Sequence, residues 1–450
     1  MRILHTSDWH LGQNFYAKSR QAEHQAFFNW LIEQCQEQHL DAIIVAGDIF
    51  DTGSPPSYAR SLLNQFIDQL QNYNCQLIIL AGNHDSVAML NESKALYARL
   101  NSQLIANVSQ QDCHDFNDQV ITLTNKQGQS SVQLCAVPFI RPRDVLVSQT
   151  MAEEKNSKAT NLMTAIQSHY QQIYSAAEQK NKSLGKNLPI IATGHLTIVN
   201  ASVTDSVREI YIGTLEAFPA SAFPNFDYLA LGHIHQAQTI AKKDNWRYSG
   251  SPIPMSFDEA KREKSVVLVE FTETDKQAKH SPSRIELLTV PCFQPMQSLK
   301  GNLEQIKQQL DSLVTTDLKS SQKIWLDIEV DSSDYHSDVQ KQIELICADY
   351  PVEILLVRRS KQKQIKAEIH SQESLDELEP EQVFAQKLAE AGLEQADEVK
   401  LNQLFKLSLA QLNLAETELE DGLDNVNNID SSPDHKEKNK INSASQGELL

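Results

Sequence analysis

Aspartate, asparagine and histidine gather in five short clusters along this 450-residue chain. They are Asp8-Trp9-His10, Gly47-Asp48-Ile49-Phe50-Asp51, Gly82-Asn83-His84-Asp85, Gly194-His195 and Gly232-His233-Ile234-His235. Carboxylate, amide and imidazole donors together suit divalent ions such as Mn2+, Fe2+ or Zn2+ better than an all-oxygen calcium cage. Two such ions about 3.5–4 Å apart can clamp a phosphodiester, activate a water and stabilise both the attacking and the leaving oxygen. One carboxylate must then bridge the ions, and Asp48 is the natural candidate. A group not fully committed to metal must help the leaving oxygen depart. His84 fits that task, with Asp85 beside it to orient the ring and favour the imidazolium.

Taken singly, each cluster has an ordinary explanation. An isolated Asp-x-His is commonly surface or helix-cap chemistry, and Gly-Asn-His-Asp can be no more than a turn. What carries weight is that all five occur and that each follows a run of apolar, β-prone residues. His5, inside the first such run, reads as packing. His24, His169 and the other histidines outside the clusters read as solvated or structural.

The elements that must position these residues are legible from hydrophobic pattern. Arg2–Thr6, Ala42–Ala46 and 77–81 read as strands, with helical patterns at 20–38 and 57–72 between them, giving βαβαβ and an α/β sheet. Further strands are expected at 132–138, 190–193, 228–231, 239–241 and 265–271. The polar stretch 148–187 is expected to hold a helix in its middle and a loop at 180–186. In an open α/β sheet the loops at the carboxyl ends of the strands form the binding crevice, so clusters scattered over the first half would meet on one rim. Asp8 and His10, like His233 and His235, are two residues apart, which on extended backbone points both side chains of a pair the same way. The glycines before Asp48, Asn83, His195 and His233 permit tight turns.

A boundary falls at 289–298, where Pro291 and Pro295 interrupt the pattern. Beyond it, a helix at Leu303–Leu313, a strand at 323–330, a helix at 337–348 and a strand at 352–358 form a small βαβ-like unit. The organisation expected is a domain at 1–290 that carries the five clusters, a cap domain at 291–370, a pair of amphipathic helices at 374–415 and an acidic, disordered tail at 416–450. The helix pair could fold back on the cap or dock on a partner's helices. The net charge is −19, which argues against nucleic acid, yet residues 367–450 hold 19 Asp and Glu against 6 Lys and Arg. The acid is therefore concentrated at one end, and bound metal would add local positive charge. Arg141 and Arg143, and the cluster Arg358, Arg359, Lys361, Lys363 and Lys366, could hold backbone phosphates or be ordinary solvated charge. Six singly spaced cysteines give no zinc or disulfide framework, and no apolar run is long enough to cross a bilayer, so a cytoplasmic protein is expected.

The five clusters in order resemble the calcineurin-like metallophosphoesterases. ILHTSDWHLG (3–12), DSVREIYIGT (205–214), DYLALGHIHQ (227–236) and YSGSPIPMSF (248–257) narrow the resemblance to the bacterial SbcD nuclease subunits, over residues 1–415. The resemblance implies an α/β fold, a four-layer sandwich with a small α+β cap and a C-terminal helix pair. It implies that Asp8, His10, Asp48 and His235 hold one manganese ion and Asp48, Asn83, His195 and His233 the other, with His84 assisting at the leaving group. It also implies Mn2+-dependent cleavage of DNA, as an exonuclease on duplex ends and an endonuclease on single strands and hairpins. Its implied partners are an SbcC-type ATPase, bound through the helix pair, and a second copy of the chain. Two other readings stay open: a calcineurin-like phosphoesterase on a non-DNA substrate, and a DNA-end tether with a vestigial metal site.

Overall fold

The computed structural model describes residues 1–108, 116, 118–145, 155–204, 206–207, 217–272, 281–313, 323–331, 339–359 and 401, with the side chains of Arg143 and 155–161 set aside. In chain order the first half contains β1 (Arg2–Thr6), a short hairpin of β2 (Asn14–Phe15) and β3 (Lys18–Ser19), α1 (Gln21–Glu37), β4 (Ala42–Ala46), α2 (Ser57–Leu70), β5 (Gln76–Leu80), α3 (Val87–Ala98), β6 (Ser102–Ile105), β7 (Val120–Thr124), β8 (Ser130–Cys135), α4 (Pro142–Val145) and α5 (Lys155–Ser183). Then follow β9 (Ile190–His195), β10 (Tyr228–Gly232), β11 (Gln238–Ile240), β12 (Lys243–Tyr248), β13 (Ser265–Glu270), β14 (Arg284–Thr289), β15 (Met296–Gly301), α6 (Leu303–Leu313), β16 (Ile324–Val330), α7 (Val339–Cys347) and β17 (Val352–Arg359).

Strand β4, Ala-Ile-Ile-Val-Ala, is buried at every position, as a continuous apolar run in the middle of a covered sheet should be. It lies in a six-stranded sheet of order β14-β13-β1-β4-β5-β6, in which β1, β4, β5 and β6 run parallel. A second six-stranded sheet has the order β11-β12-β10-β9-β8-β7. Three apolar cores define the layers. Ile3, Ile44, Ile78, Leu134, Ile191 and Ala230 pack between the two sheets. Phe27, Leu31, Leu63, Phe66 and Ile67 of α1 and α2 cover the outer face of the first sheet, and Ile166, Tyr170 and Ile173 of α5 that of the second. Helices, sheet, sheet, helices is the four-layer α/β sandwich.

The strands that sequence patterning misses are short, polar or at an edge. In β12, Lys-Asp-Asn-Trp-Arg-Tyr, only Trp246 and Tyr248 are buried, and edge strand β14 buries no residue fully. Helix α5 runs farther than expected, through Ser183, and takes in Lys180 and Lys182. Cations in a last helical turn oppose the negative end of the macrodipole, and Lys180 Nζ also donates to the Val120 carbonyl at 2.6 Å.

The third sheet, β15-β16-β17, is parallel and has its own core of Leu299, Ile306, Leu310, Leu326, Ile328 and Ile343. It meets the β2–β3 hairpin through Phe15, Phe257, Met296 and Trp325, with the Phe15 and Trp325 rings stacked at 5.9 Å. Lys18 of the hairpin pairs with Glu353 at 2.5 Å. The helix pair at 374–415, apart from residue 401, and the tail at 416–450 lie outside the described residues. Among the described residues no helix is long and apolar enough to cross a membrane.

Candidate metal centre

Strands β1, β4 and β5 of one sheet and β9 and β10 of the other end on a common rim, and all five clusters sit there. The two sheets close on each other at this point: His195, the last residue of β9, places Nδ1 2.9 Å from the Ala46 carbonyl at the end of β4. The expected ligands converge. Asp8, His10 and His235 present ligand atoms all within 4.8 Å of one another, as do His10, Asp48 and His84, and Asp48, His195 and His233. Asp48 and His10 each belong to two of these groups, so the clusters form one continuous centre. Asn83 joins it through Oδ1, 2.9 Å from His195 Nε2.

The donor set fits divalent metal. His10 Nε2 and His235 Nε2 face each other at 3.2 Å, and His195 Nε2 lies 3.2 Å from Asp48 Oδ2. His233 Nε2 is buried with no hydrogen-bond partner among the described residues. A buried imidazole nitrogen left unpaired among carboxylates is costly unless a cation takes its lone pair.

Three expectations about how the residues converge need correction. First, Asp8 (φ 55°), His10 (φ 47°), Asp48 (φ 51°) and His233 (φ 92°) are all in the left-handed region, so the i, i+2 pairs do not meet by the pleat of an extended strand. Their loops curl back, held by Asp8 N to the Gly47 carbonyl (3.0 Å) and His10 N to the Asp48 carbonyl (3.1 Å). Such backbone costs of order 1 kcal/mol or more per residue and persists where surrounding contacts impose it. Second, the glycines serve close approach more than turning. Gly47 has φ +96°, but a Cβ there would also lie 2.1 Å from His195 Nδ1, and one on Gly82 would lie 2.1 Å from Asp48 Oδ1. Third, Asp85 does not orient His84. Its carboxylate accepts from the backbone N–H groups of Ile49 (3.0 Å), Phe50 (3.0 Å) and Gly82 (2.8 Å), tying the loop after β5 to the loop after β4. His84 Nδ1 instead sits 2.8 Å from the Asp51 carbonyl, and His84 N donates to Asp48 Oδ1 at 3.0 Å.

Sequence reading missed several supporting groups. Asp51 Oδ1 lies 3.4 Å from His10 Nδ1. Ser7 Oγ donates to Asp8 Oδ2 at 2.6 Å, and His233 N to Asp8 Oδ1 at 2.9 Å. Buried His24 holds the Trp9 carbonyl through Nε2 at 2.9 Å, bracing the peptide between two ligands. Ser206, Glu259 and Lys264 surround His235. Asp51, Ser7 and Ser206 could have been suspected from their place inside or beside the motifs; Glu259 and Lys264 carry no local signal of burial.

Electrostatics follow from burial and this crowding of charge. Burial would raise the Asp48 carboxyl, but the imidazoles of His195, His10 and His84 outweigh it and hold it well below the usual carboxylate range. Burial would lower His195, yet Asp48 and Asp8 push it up to about 9, and the carboxylates of Asp51, Asp48 and Asp8 raise His10 in the same way. Burial and the Asp48 charge push Asp85 up to about 6 against its three N–H donors. Burial, then the His195 charge, holds His233 well below the imidazole range.

A groove of about 590 Å³ adjoins the centre, lined among others by Gln13, Tyr16, Ser206, Phe257, Lys261 and Ser298. Arg141 donates from Nη2 to the Asp85 carbonyl at 2.9 Å. Arg358 pairs with Asp327 through both Nε (3.0 Å) and Nη2, which holds its guanidinium against the third sheet. Lys361, Lys363 and Lys366 lie outside the described residues.

Residues 1–237 match the family model for calcineurin-like phosphoesterase, and residues 292–391 match the one described as Type 5 capsule protein repressor C-terminal domain. The SbcD subunit of nuclease SbcCD from Escherichia coli (strain K12) is 48% identical over 413 residues, spanning 92% of this chain and 98% of that protein. The chain belongs to the SbcD family of nuclease subunits. Family members in Rhodobacter capsulatus and Bacillus subtilis (strain 168), which carry the same SbcCD nuclease name, are 32% and 30% identical. Each alignment spans 60% of this chain and 66% of the relative. As an SbcD family member with a calcineurin-like domain, the chain is a metal-dependent phosphodiesterase.

Proposed function

We propose that this SbcD family member hydrolyses DNA with two manganese ions. Asp8, His10, Asp48 and His235 would hold one, and Asp48, Asn83, His195 and His233 the other. When bound, the ions supply Lewis acidity to the phosphoryl group and make an attacking water acidic enough to ionise near neutral pH. The observation that carries the reading is that His10, in one group with Asp8 and His235, lies 3.7 Å through Nε2 from Oδ2 of Asp48, which is grouped in turn with His195 and His233. His84 manages a proton. A carbonyl only accepts, so the Asp51 carbonyl fixes a proton on His84 Nδ1, and Nε2 is the nitrogen that would pass a proton to the leaving oxygen. Asp85 keeps the His84 and Asp48 loops in register by its three backbone hydrogen bonds. The groove beside Ser206 offers the strand flanking the scissile phosphate a path away from the centre.

The duplex-end exonuclease and hairpin endonuclease activities, the SbcC-type ATPase, a homodimer of this chain and a cytoplasmic setting belong to the same proposal, as does the division into a nuclease domain, a cap and a docking helix pair. The name of the relatives, which makes each of them one component of SbcCD, supports the assembly. The test is hydrolysis of blunt duplex and hairpin DNA with Mn2+ or Mg2+, with and without ATP and the partner. Manganese-dependent cleavage stimulated by the partner is expected. Turnover of phosphate monoesters with no cleavage of either DNA would overturn the reading.

A further inference from the structure

Glu259 is a carboxylate at 1% exposure in a short helical turn at Glu259–Lys261. Its two oxygens have separate tasks. Oε2 accepts from Met255 N (3.0 Å), Ser251 Oγ (3.2 Å) and Lys264 Nζ (2.5 Å), which fixes the 251–264 segment and neutralises the charge. Oε1 accepts from Thr204 Oγ1 (3.0 Å) and from Ser206 Oγ, and faces His235 Nδ1 at 3.2 Å. Ser206 Oγ is itself 2.6 Å from His235 Nδ1. Because the Ser206 hydroxyl spends its proton on Glu259, its oxygen accepts from His235. The Nδ1 proton of His235 is thus held by a serine and a carboxylate at once, and the lone pair of Nε2 is left pointing at His10. The backbone of His235 is gripped by the same network: its carbonyl accepts from Ser251 N (3.2 Å) and Lys264 Nζ (3.1 Å).

The other ligand group is supported differently. His195 Nδ1 donates to a neutral backbone carbonyl, Ala46, while His235 Nδ1 meets a carboxylate and His10 Nδ1 lies 3.4 Å from the Asp51 carboxylate. Carboxylate backing makes an imidazole a stronger ligand than carbonyl backing does.

We infer that Glu259, acting through Ser206, is a positioning residue for His235 that sets the affinity of the ion position at Asp8, His10 and His235, and that the two ion positions are inequivalent. This rests on the two-ion reading above. Among the described residues the hydrogen bonds of Glu259 go to His235 and to its supports, and not to Asn83, His195 or His233, which directs its influence to one position.

Manganese titration of the metal-free full chain, followed by the paramagnetic resonance of free Mn2+, tests it without any activity assay. Wild type takes up two ions. In Glu259→Gln one ion binds as in wild type and the other about 10- to 100-fold more weakly. Anomalous diffraction at limiting Mn2+ then shows the retained ion beside Asp48, His195 and His233. Ser206→Ala weakens the same position by a smaller factor, Ser206→Thr restores it, and Ser206→Ala alone carries the test if Glu259→Gln does not fold. Unchanged affinities in the folded variants, or equal weakening of both positions as general loosening would give, overturn the inference. Uptake of fewer than two ions by wild type overturns the two-ion reading instead.

Discussion

His84 and Asp85 are adjacent in sequence and divide two tasks between them. His84→Ala removes the proton carrier and leaves every expected ligand in place. We expect two ions per chain by elemental analysis with DNA cleavage slowed about 10²- to 10⁴-fold; cleavage at the wild-type rate would remove His84 from the chemistry. Asp85→Asn sets an amide NH2 against backbone N–H groups that now meet a carboxylate. It should destabilise the fold by roughly 2–4 kcal/mol in urea titration and weaken metal uptake by releasing the Asp48 loop. A residue that merely oriented His84 would change rate and not stability, so unaltered stability would contradict the structure. At this scale the sequence was informative about which side chains meet. Asp8, His10, Asp48, Asn83, His195, His233 and His235 all lie at or just beyond strand ends and all arrive at one centre. It was uninformative about hydrogen-bond direction, because a carboxylate beside a histidine in the chain says nothing of which neighbour it faces in space.

Strand ends and the loops that leave them set the next level. The strands that carry the centre were legible because they are covered on both faces and read as unbroken apolar runs, as in β4 and β10. The half-solvated β12 and the edge strand β14 were not, because neither carries such a run. The left-handed backbone at Asp8, His10, Asp48 and His233 has only a weak signature in residue type: Asp and His enter that region more readily than most side chains, but most of them in a sequence do not, and tertiary contacts decide which ones do. Gly47 shows how little room remains: at φ +96° a Cβ would approach His195 Nδ1 to 2.1 Å. Gly47→Ala should cost more than about 2 kcal/mol and lower Mn2+ uptake, because both the turn and the His195 ring must shift. Wild-type thermal stability together with two tightly bound ions would show that the β4–β9 approach is looser than the geometry requires.

Outside the metal centre, burial keeps three histidines of the sandwich neutral. His5, paired with the Tyr228 hydroxyl at 3.0 Å, and His24 are each pushed down to about 3 by burial and by nearby arginines, and burial pushes His169 down to about 4. Each takes a proton near pH 6.5 when the chain unfolds and refuses it while folded. Their stabilisation is therefore complete above pH 6.5 and lost as the pH falls toward 3, by up to about 1.4 kcal/mol per pH unit for each group. Urea unfolding of the metal-free chain at pH 7, 6 and 5 should show this loss, and His24→Gln should make it shallower. Identical slopes for variant and wild type would remove His24 as a source of acid sensitivity.

On the proposed reading, seven side chains from two sheets would surround a pair of divalent ions. Anomalous diffraction from Mn2+-loaded crystals tests it most directly. Two peaks about 3.5–4 Å apart are predicted. One should lie among Asp8, His10 and His235 and the other among Asn83, His195 and His233, with Asp48 between them. A single peak, or peaks away from these residues, would contradict it.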